Sequence, residues 1–186
     1  DEKTNQLFCS RIQDKFDFSY KVYGIEQKFI NRVVKSYNHT KNNLGVLLNG
    51  VKGTGKTVTS KMICNTLQIP VIIVDLPYRN LTRLIADIQQ PVVIMIDEYE
   101  KVFKGTKEDD YNSAEEDSTL LTLMDGVRKT EHRKVFLLTS NDIRIHDAMK
   151  QRPGRLRYIK NFGNLNRETI EEIVDDLLIH KELRQV

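Results

Sequence analysis

Gly50-Val51-Lys52-Gly53-Thr54-Gly55-Lys56-Thr57, straight after the apolar stretch Leu44 to Leu48, is the most informative run of the chain. The spacing fits a phosphate-binding loop, G-x-x-x-x-G-K-[ST]. Glycines let such a loop curl into a concave nest whose N–H groups face phosphate oxygens. A helix expected to begin near Lys56 adds its partial positive N-terminus. In that setting Lys56 reaches the terminal phosphates and Thr57 holds Mg²⁺. The competing reading is a plain glycine-rich turn between a strand and a helix.

Working outward from the loop, apolar runs alternate with helical periodicity. Ile25, Phe29, Val33, Val34 and Tyr37 keep helical spacing before the first strand, and Val58, Met62, Ile63 and Leu67 mark a helix after the loop, ended by Pro70. Val71 to Val74 reads as a short buried strand; Leu81, Leu84, Ile85 and Ile88 form a helical stripe; Val92 to Ile96 is an uninterrupted apolar strand. Leu120, Leu121, Leu123, Met124 and Val127 give a further helix, followed by the strands Val135 to Leu138 and Leu156 to Ile159. Continuous apolar strands between amphipathic helices predict a parallel five-stranded sheet covered on both faces, a three-layer α/β sandwich with ligands at the carboxyl ends of the strands. Residues 1 to 21 read as an extension that packs or caps, 22 to 160 as the core, and 161 to 186 as a linker and helix.

Three further elements sharpen the reading of the loop. The strand Val92 to Ile96 delivers Asp97 and Glu98 at its carboxyl end, where the loop also opens. Adjacent carboxylates repel, so a nearby dication gives the pair a reason: Asp97 would bind the Mg²⁺ shared with Thr57, and Glu98 would polarise a water attacking the γ-phosphate. The strand Val135 to Leu138 ends in Thr139-Ser140-Asn141, placing Asn141 to orient that water or touch the γ-phosphate, although Asn at a strand end also serves as a turn or cap residue. Arg152-Pro153-Gly154-Arg155 lies eleven residues beyond Asn141, and by itself reads as a basic turn.

Together, over about Val22 to Leu178, these elements resemble the AAA+ ATPases, and within them the AAA clade that carries a second region of homology. Gly50 to Thr57 is similar to that family's Walker A motif and Val92 to Glu98 to its Walker B. Leu121-Thr122-Leu123-Met124-Asp125-Gly126-Val127 is similar to the helix before the fourth core strand, Asn141 falls at sensor 1, and Arg152 and Arg155 fall at the arginine-finger segment. The resemblance implies a P-loop NTPase fold that binds ATP and Mg²⁺ through Gly50, Gly53, Thr54, Gly55, Lys56, Thr57 and Val58, with Tyr23-Gly24 near adenine. It implies hydrolysis by Glu98 and Asn141, with Arg152 and Arg155 reaching into a neighbouring protomer of a homo-oligomeric ring, typically a hexamer. The helix Glu168 to Leu178 is similar to the start of the family's small helical lid. Forty residues separate Thr57 from Asp97, so Asp75 to Asn80 is short where relatives carry a longer pore loop; Tyr78 reads as a gripping aromatic or an exposed turn residue. Asp142-Ile143-Arg144-Ile145-His146 also departs from the usual residues, marking a divergent member.

Composition sets the remaining bounds. With 186 residues, 39% hydrophobic and 30% charged, the chain is an ordinary globular protein able to bury a core. A net charge of +3 does not by itself point to nucleic acid, so such a partner rests on the local stretches Arg128 to Lys134 and Lys150 to Lys160. Cys9 and Cys64 read as reduced thiols of a cytoplasmic protein, and no apolar run is long enough for a membrane span. The chain begins on Asp1 rather than methionine, with no signal peptide expected, and reads as an excerpt whose neighbouring domains lie outside it. The acidic block from Glu108 to Asp117 is a solvated loop or a docking surface. The leading expectation is an ATP-driven remodeller of a protein or protein complex; the alternative is a nucleic-acid-associated ATPase such as a helicase loader. A nucleotide-gated scaffold fits less well, since a purely structural module has little need of Asp97, Glu98 and Arg155 together, and so does a small-molecule kinase, because the Asp97-Glu98 pair and the arginine segment suit water as acceptor.

Overall fold

The computed structural model describes residues 10–75, 81–103, 119–125, 132–141 and 155–178. Its elements are α1 (Gln27–His39), β1 (Leu44–Gly50), α2 (Lys56–Leu67), β2 (Val71–Val74), α3 (Leu81–Asp87), β3 (Val92–Ile96), α4 (Tyr99–Phe103), β4 (Lys134–Ser140), β5 (Tyr158–Phe162) and α5 (Arg167–Leu177), with a helical stretch 119–124 between α4 and β4. The strands form one sheet in the order β2-β3-β4-β1-β5, and every pairing is parallel. This is the expected P-loop α/β architecture.

The strand residues explain why both faces are covered. Val92, Ile94 and Ile96 of β3 and Phe136 and Leu138 of β4 pack with Leu81 and Ile85 of α3, Tyr99 and Val102 of α4, and Leu120 and Met124. The alternate residues Val93, Met95, Val135 and Leu137 pack with Phe29, Ile30 and Val33 of α1 and Ile63, Cys64 and Leu67 of α2. Period-two side chains buried on both sides are the signature of a parallel sheet whose crossovers lay helices on each face. Burial pushes the Cys64 thiol up to about 12, leaving it a small hydrophobe rather than a reactive group. Ahead of α1, Phe16 is buried beside α2, and the Asn65 side chain brackets its backbone, accepting from Phe16 N at 2.9 Å and donating to Phe16 O at 2.8 Å.

Three expectations shift. The last strand runs Tyr158–Phe162 rather than Leu156 to Ile159, because pairing with β1 aligns Val46 with Tyr158 and Gly50 with Phe162. Helix α2 stops at Leu67, where Gln68 adopts a left-handed φ of 53° and its N–H closes on Cys64 O, two residues before Pro70. Helix α5 begins one residue early on Arg167, capped by the Asn166 side chain accepting from Thr169 N at 2.8 Å. Its expected apolar side is largely uncovered among the described residues, with Ile170 and Leu177 exposed. Val127, Tyr78, the acidic block, Asp142 to His146 and Arg152 lie outside the described residues.

The sheet admits a close backbone approach at Gly45, where an added Cβ would fall 2.1 Å from Arg155 O. Gly45→Ala is therefore expected to cost about 1–3 kcal/mol, as overpacking does in a tight core. The check is a lower urea midpoint with an unchanged m-value.

Candidate functional site

The strand order sets β4 between β1 and β3, so the segments leaving these three neighbours emerge side by side. From β1 comes the glycine loop. Gly50, Gly53 and Gly55 hold φ of 145°, 83° and 91°, in the region that side-chain-bearing residues rarely adopt. A Cβ on Gly50 would strike Phe162 O at 2.1 Å, whereas at Gly53 and Gly55 it would meet nothing within 4 Å. The loop thus presents bare, accessible backbone ahead of α2, which starts at Lys56 as expected. Thr54 Oγ1 donates to Val51 O at 2.7 Å and closes the turn. Lys56 is buried, and its Nζ donates to Gly50 O and Val51 O at 2.8 Å each. Burial pulls its ammonium below the ordinary lysine value, against the nearby carboxylates of Glu100, Asp97 and Glu98. Val58 lies half-buried in the first turn of α2.

From β3 come the two acids. Thr57 Oγ1 donates to the Asp97 carboxylate, 3.1 Å from Oδ1 and 3.4 Å from Oδ2, so residues forty apart in sequence meet. Glu98 takes a left-handed φ of 54°, unusual for a residue with a side chain, and this reverses the chain from strand into α4. Strain of this kind persists where surrounding contacts fix it. Here Thr139 supplies one such contact: its hydroxyl accepts from Glu98 N at 2.8 Å and donates to Asp97 Oδ1 at 2.6 Å.

Asn141, leaving β4, donates from Nδ2 to Glu98 Oε1 at 3.1 Å, and its own N–H donates to Glu100 Oε1 at 2.9 Å. Lys101, one turn along α4, forms an ion pair with Glu98, and Lys52 of the loop stands 3.9 Å away. The Lys101 hydrogen bond, ahead of smaller contributions from Lys52 and Asn141, holds the Glu98 carboxyl below the usual carboxylate range. Thr139, Glu100 and Lys101 were not singled out as site residues from the sequence. The Thr139-Ser140-Asn141 cluster at a strand end carried part of the signal, but the contacts of Thr139 depend on β4 lying beside β3.

Gly24 and Arg155 make their contacts with other segments. Gly24, with φ of 64°, packs on Thr169 at the start of α5, and Lys21 and Tyr23 tie the same segment to Asp176. Arg155 departs from the expectation of a guanidinium reaching outward. Only 6% exposed, it donates from Nε to Asp125 Oδ2 at 2.9 Å, within its own chain. A buried charge needs such a partner, and here Asp125, at the end of the 119–124 helix, provides it.

The residues present fit a nucleotide and a hard divalent cation. Thr57 and Asp97 offer oxygen donors, and among the described residues no group of three or more His, Cys, Asp or Glu side chains forms a metal cage. Mg²⁺ is commonly held in this manner, by one or two carboxylates with phosphates and water completing its octahedron. Among the described residues no helix is long and apolar enough to cross a membrane.

The comparisons with known proteins agree with this geometry. Residues 46–164 match the family model for the ATPase family associated with various cellular activities (AAA). The chain is 33% identical over 60% of its length to the ATPase family gene 2 protein of Saccharomyces cerevisiae, of which it spans 16%. It is 29% identical over 72% of its length to the human ATPase family gene 2 protein homolog A, spanning 17%, and 35% identical over 60% to the 26S proteasome regulatory subunit 4 homolog B of Arabidopsis thaliana, spanning 29%. The chain thus covers less than a third of these relatives.

Thr139 is 1% exposed, so Thr139→Val removes two hydrogen bonds without opening a cavity and leaves Glu98 N and Asp97 short of a partner. The expected loss is about 1–3 kcal/mol, with Thr139→Ser recovering most of it, measured by chemical denaturation.

Proposed function

The chain belongs to the ATPase family associated with various cellular activities, and from that premise we propose that it binds Mg·ATP in the loop Gly50 to Thr57. Hydrolysis would drive the remodelling of a protein or protein complex by a ring of identical protomers, a hexamer in the family pattern. The observation that carries this reading is the meeting of Thr57, Asp97, Glu98 and Asn141 beside the glycine loop. Four polar residues brought together from the segments that follow three adjacent strands serve little purpose in a mere turn.

In this reading the N–H groups of the loop and the N-terminus of α2 receive the phosphates, and Lys56 turns from its carbonyl contacts toward the terminal ones. Thr57 and Asp97 would hold Mg²⁺, which would supply charge neutralisation to the bound phosphates. Glu98, kept ionised by its neighbours, accepts a proton from the attacking water as the water oxygen bonds to the γ-phosphorus and the bond to ADP breaks. Asn141 fixes the Glu98 carboxylate and lies on the same side. Arg152 is assigned the reach into the neighbouring protomer, a contribution of roughly 10³ to 10⁵ in rate for such fingers. Arg155, paired with Asp125, anchors the base of that segment. The core is taken as 22 to 160, with Gly24 near adenine and 161 to 186 leading into the lid. A head-to-tail interface of this kind closes into a ring.

ATPase rate per protomer is expected to rise steeply with protein concentration, and Arg152→Ala protomers mixed into wild type should depress the rate more than dilution does. A rate per protomer that stays flat across dilution rules out the shared site. Glu98→Gln should keep nucleotide affinity and lose about 10² to 10⁴ in turnover, the usual scale of a general base; unchanged turnover removes Glu98 from that role. Because Lys101 depresses the Glu98 pKa, Lys101→Ala raises it, and the acid limb of the kcat/KM profile should move to higher pH.

A further inference from the structure

A second charged feature runs along α1, and its C-terminal part lies at the end of the sheet opposite the phosphate loop. Lys28, Arg32, Lys35 and His39 recur along α1 at helical spacing and form one exposed line, while Phe29, Ile30, Val33 and Tyr37 bury the other side of the helix. The helix contains no acidic residue. Near its C-terminus a cavity of about 290 Å³ is lined by Arg32, Lys35, Ser36, His39, Thr40 and Arg157. Arg157 is brought there by its N–H bond to Gly45 O, at the amino end of β1. Seven strand residues separate that end from the loop after Gly50, roughly 20 Å.

Like charges one turn apart work against a helix, and among the described residues no carboxylate pairs with Arg32, Lys35 or Arg157. Among the described cations of the two basic stretches in the sequence, only Arg157 belongs to this surface. Lys134 is fully buried, Arg133 is tied to Tyr37 O and Thr40 O, Arg155 to Asp125, and Lys160 to Glu26. The cations of this surface are those of α1 together with Arg157.

We propose that this surface binds the sugar–phosphate backbone of a nucleic acid without reading its sequence. The line from Lys28 to His39 is about 16 Å long at 1.5 Å per residue, the run of roughly five nucleotides of one strand. That exceeds a single phosphate. The cavity holds charged and hydroxyl side chains and no apolar one, whereas a protein partner is anchored by apolar and aromatic groups in pockets. Its single ring is the His39 imidazole, and no Phe, Tyr or Trp face is present for successive bases to stack on, so contact is mainly with phosphates.

The test is fluorescence anisotropy of labelled single-stranded and duplex oligonucleotides with the full chain, with saturating Mg·ADP occupying the phosphate loop. Binding should weaken with salt at a log–log slope of roughly −3 on single strands, as expected for about four neutralised phosphates. Arg32→Ala, Lys35→Ala and Arg157→Ala should each reduce that slope by about 1, equally for unrelated sequences. Lys15→Ala, an exposed lysine ahead of α1, should change nothing. The proposal is overturned by absence of binding at low salt, or by variants that match wild type. It is equally overturned if tripolyphosphate binds with no advantage to longer strands, which assigns the site to a small phosphorylated ligand. Binding of acidic peptides in place of oligonucleotides assigns it to a protein partner. The readout is binding alone, so it stands apart from turnover at the phosphate loop.

Discussion

Both faces of the five-stranded sheet are covered, so side chains along β3 and β4 have no route to water except at the strand ends. Val92 to Ile96 and Val135 to Leu138 are accordingly apolar throughout, and the first polar groups, Asp97, Thr139 and Asn141, come where the strands emerge. A parallel arrangement points all those ends the same way. With β4 seated between β1 and β3, the glycine loop, the acid pair and the Asn141 amide share one edge without any long-range guidance beyond strand order.

Within that edge the polar groups restrain one another. Thr139 bridges Asp97 and the backbone of Glu98, Asn141 holds the Glu98 carboxylate, and Lys101 draws it from α4. This set of contacts fixes a residue whose backbone is in a left-handed conformation, so the orientation of Glu98 is over-determined rather than left to one bond. The Asp125–Arg155 pair plays a comparable part on the far side of β1. It joins the end of the 119–124 helix to the start of the segment entering β5, next to the close approach at Gly45.

The α1 surface is built differently. Helix α1 is locked to the core through Phe29, Ile30, Val33 and Tyr37, and Arg133 fastens its last turn by donating to Tyr37 O and Thr40 O. A basic line on a rigid helix loses little freedom on binding, which favours recognition of a regular array of charges. The cavity beside Arg157 and the phosphate loop are separated by the length of β1, and the strand between them is buried from Leu44 to Asn49.

Much of this was legible from local pattern. The glycine loop, the apolar strand ending in Asp97-Glu98, and the alternation of helix and strand each follow from residue type and spacing, because phosphate nests, buried strands and amphipathic helices have short-range chemical requirements. The family and the fold followed from these. Other features depended on contacts between segments distant in sequence. Register with β1 moved the last strand to Tyr158–Phe162, since an edge strand of mixed polarity carries no strong boundary of its own. Arg155 looked free to reach outward until Asp125 was placed beside it, thirty residues away in the chain. The basic runs Arg128 to Lys134 and Lys150 to Lys160 suggested a surface by density alone, yet burial removes Lys134 and Arg155 from it, while α1 contributes a line that linear clustering does not reveal. The sequence by itself determined which residues carry charge, which must be buried, and where the loop lies. Tertiary structure decided which of those charges meet a partner and which remain exposed, because pairing and desolvation depend on what the fold brings within a few ångströms.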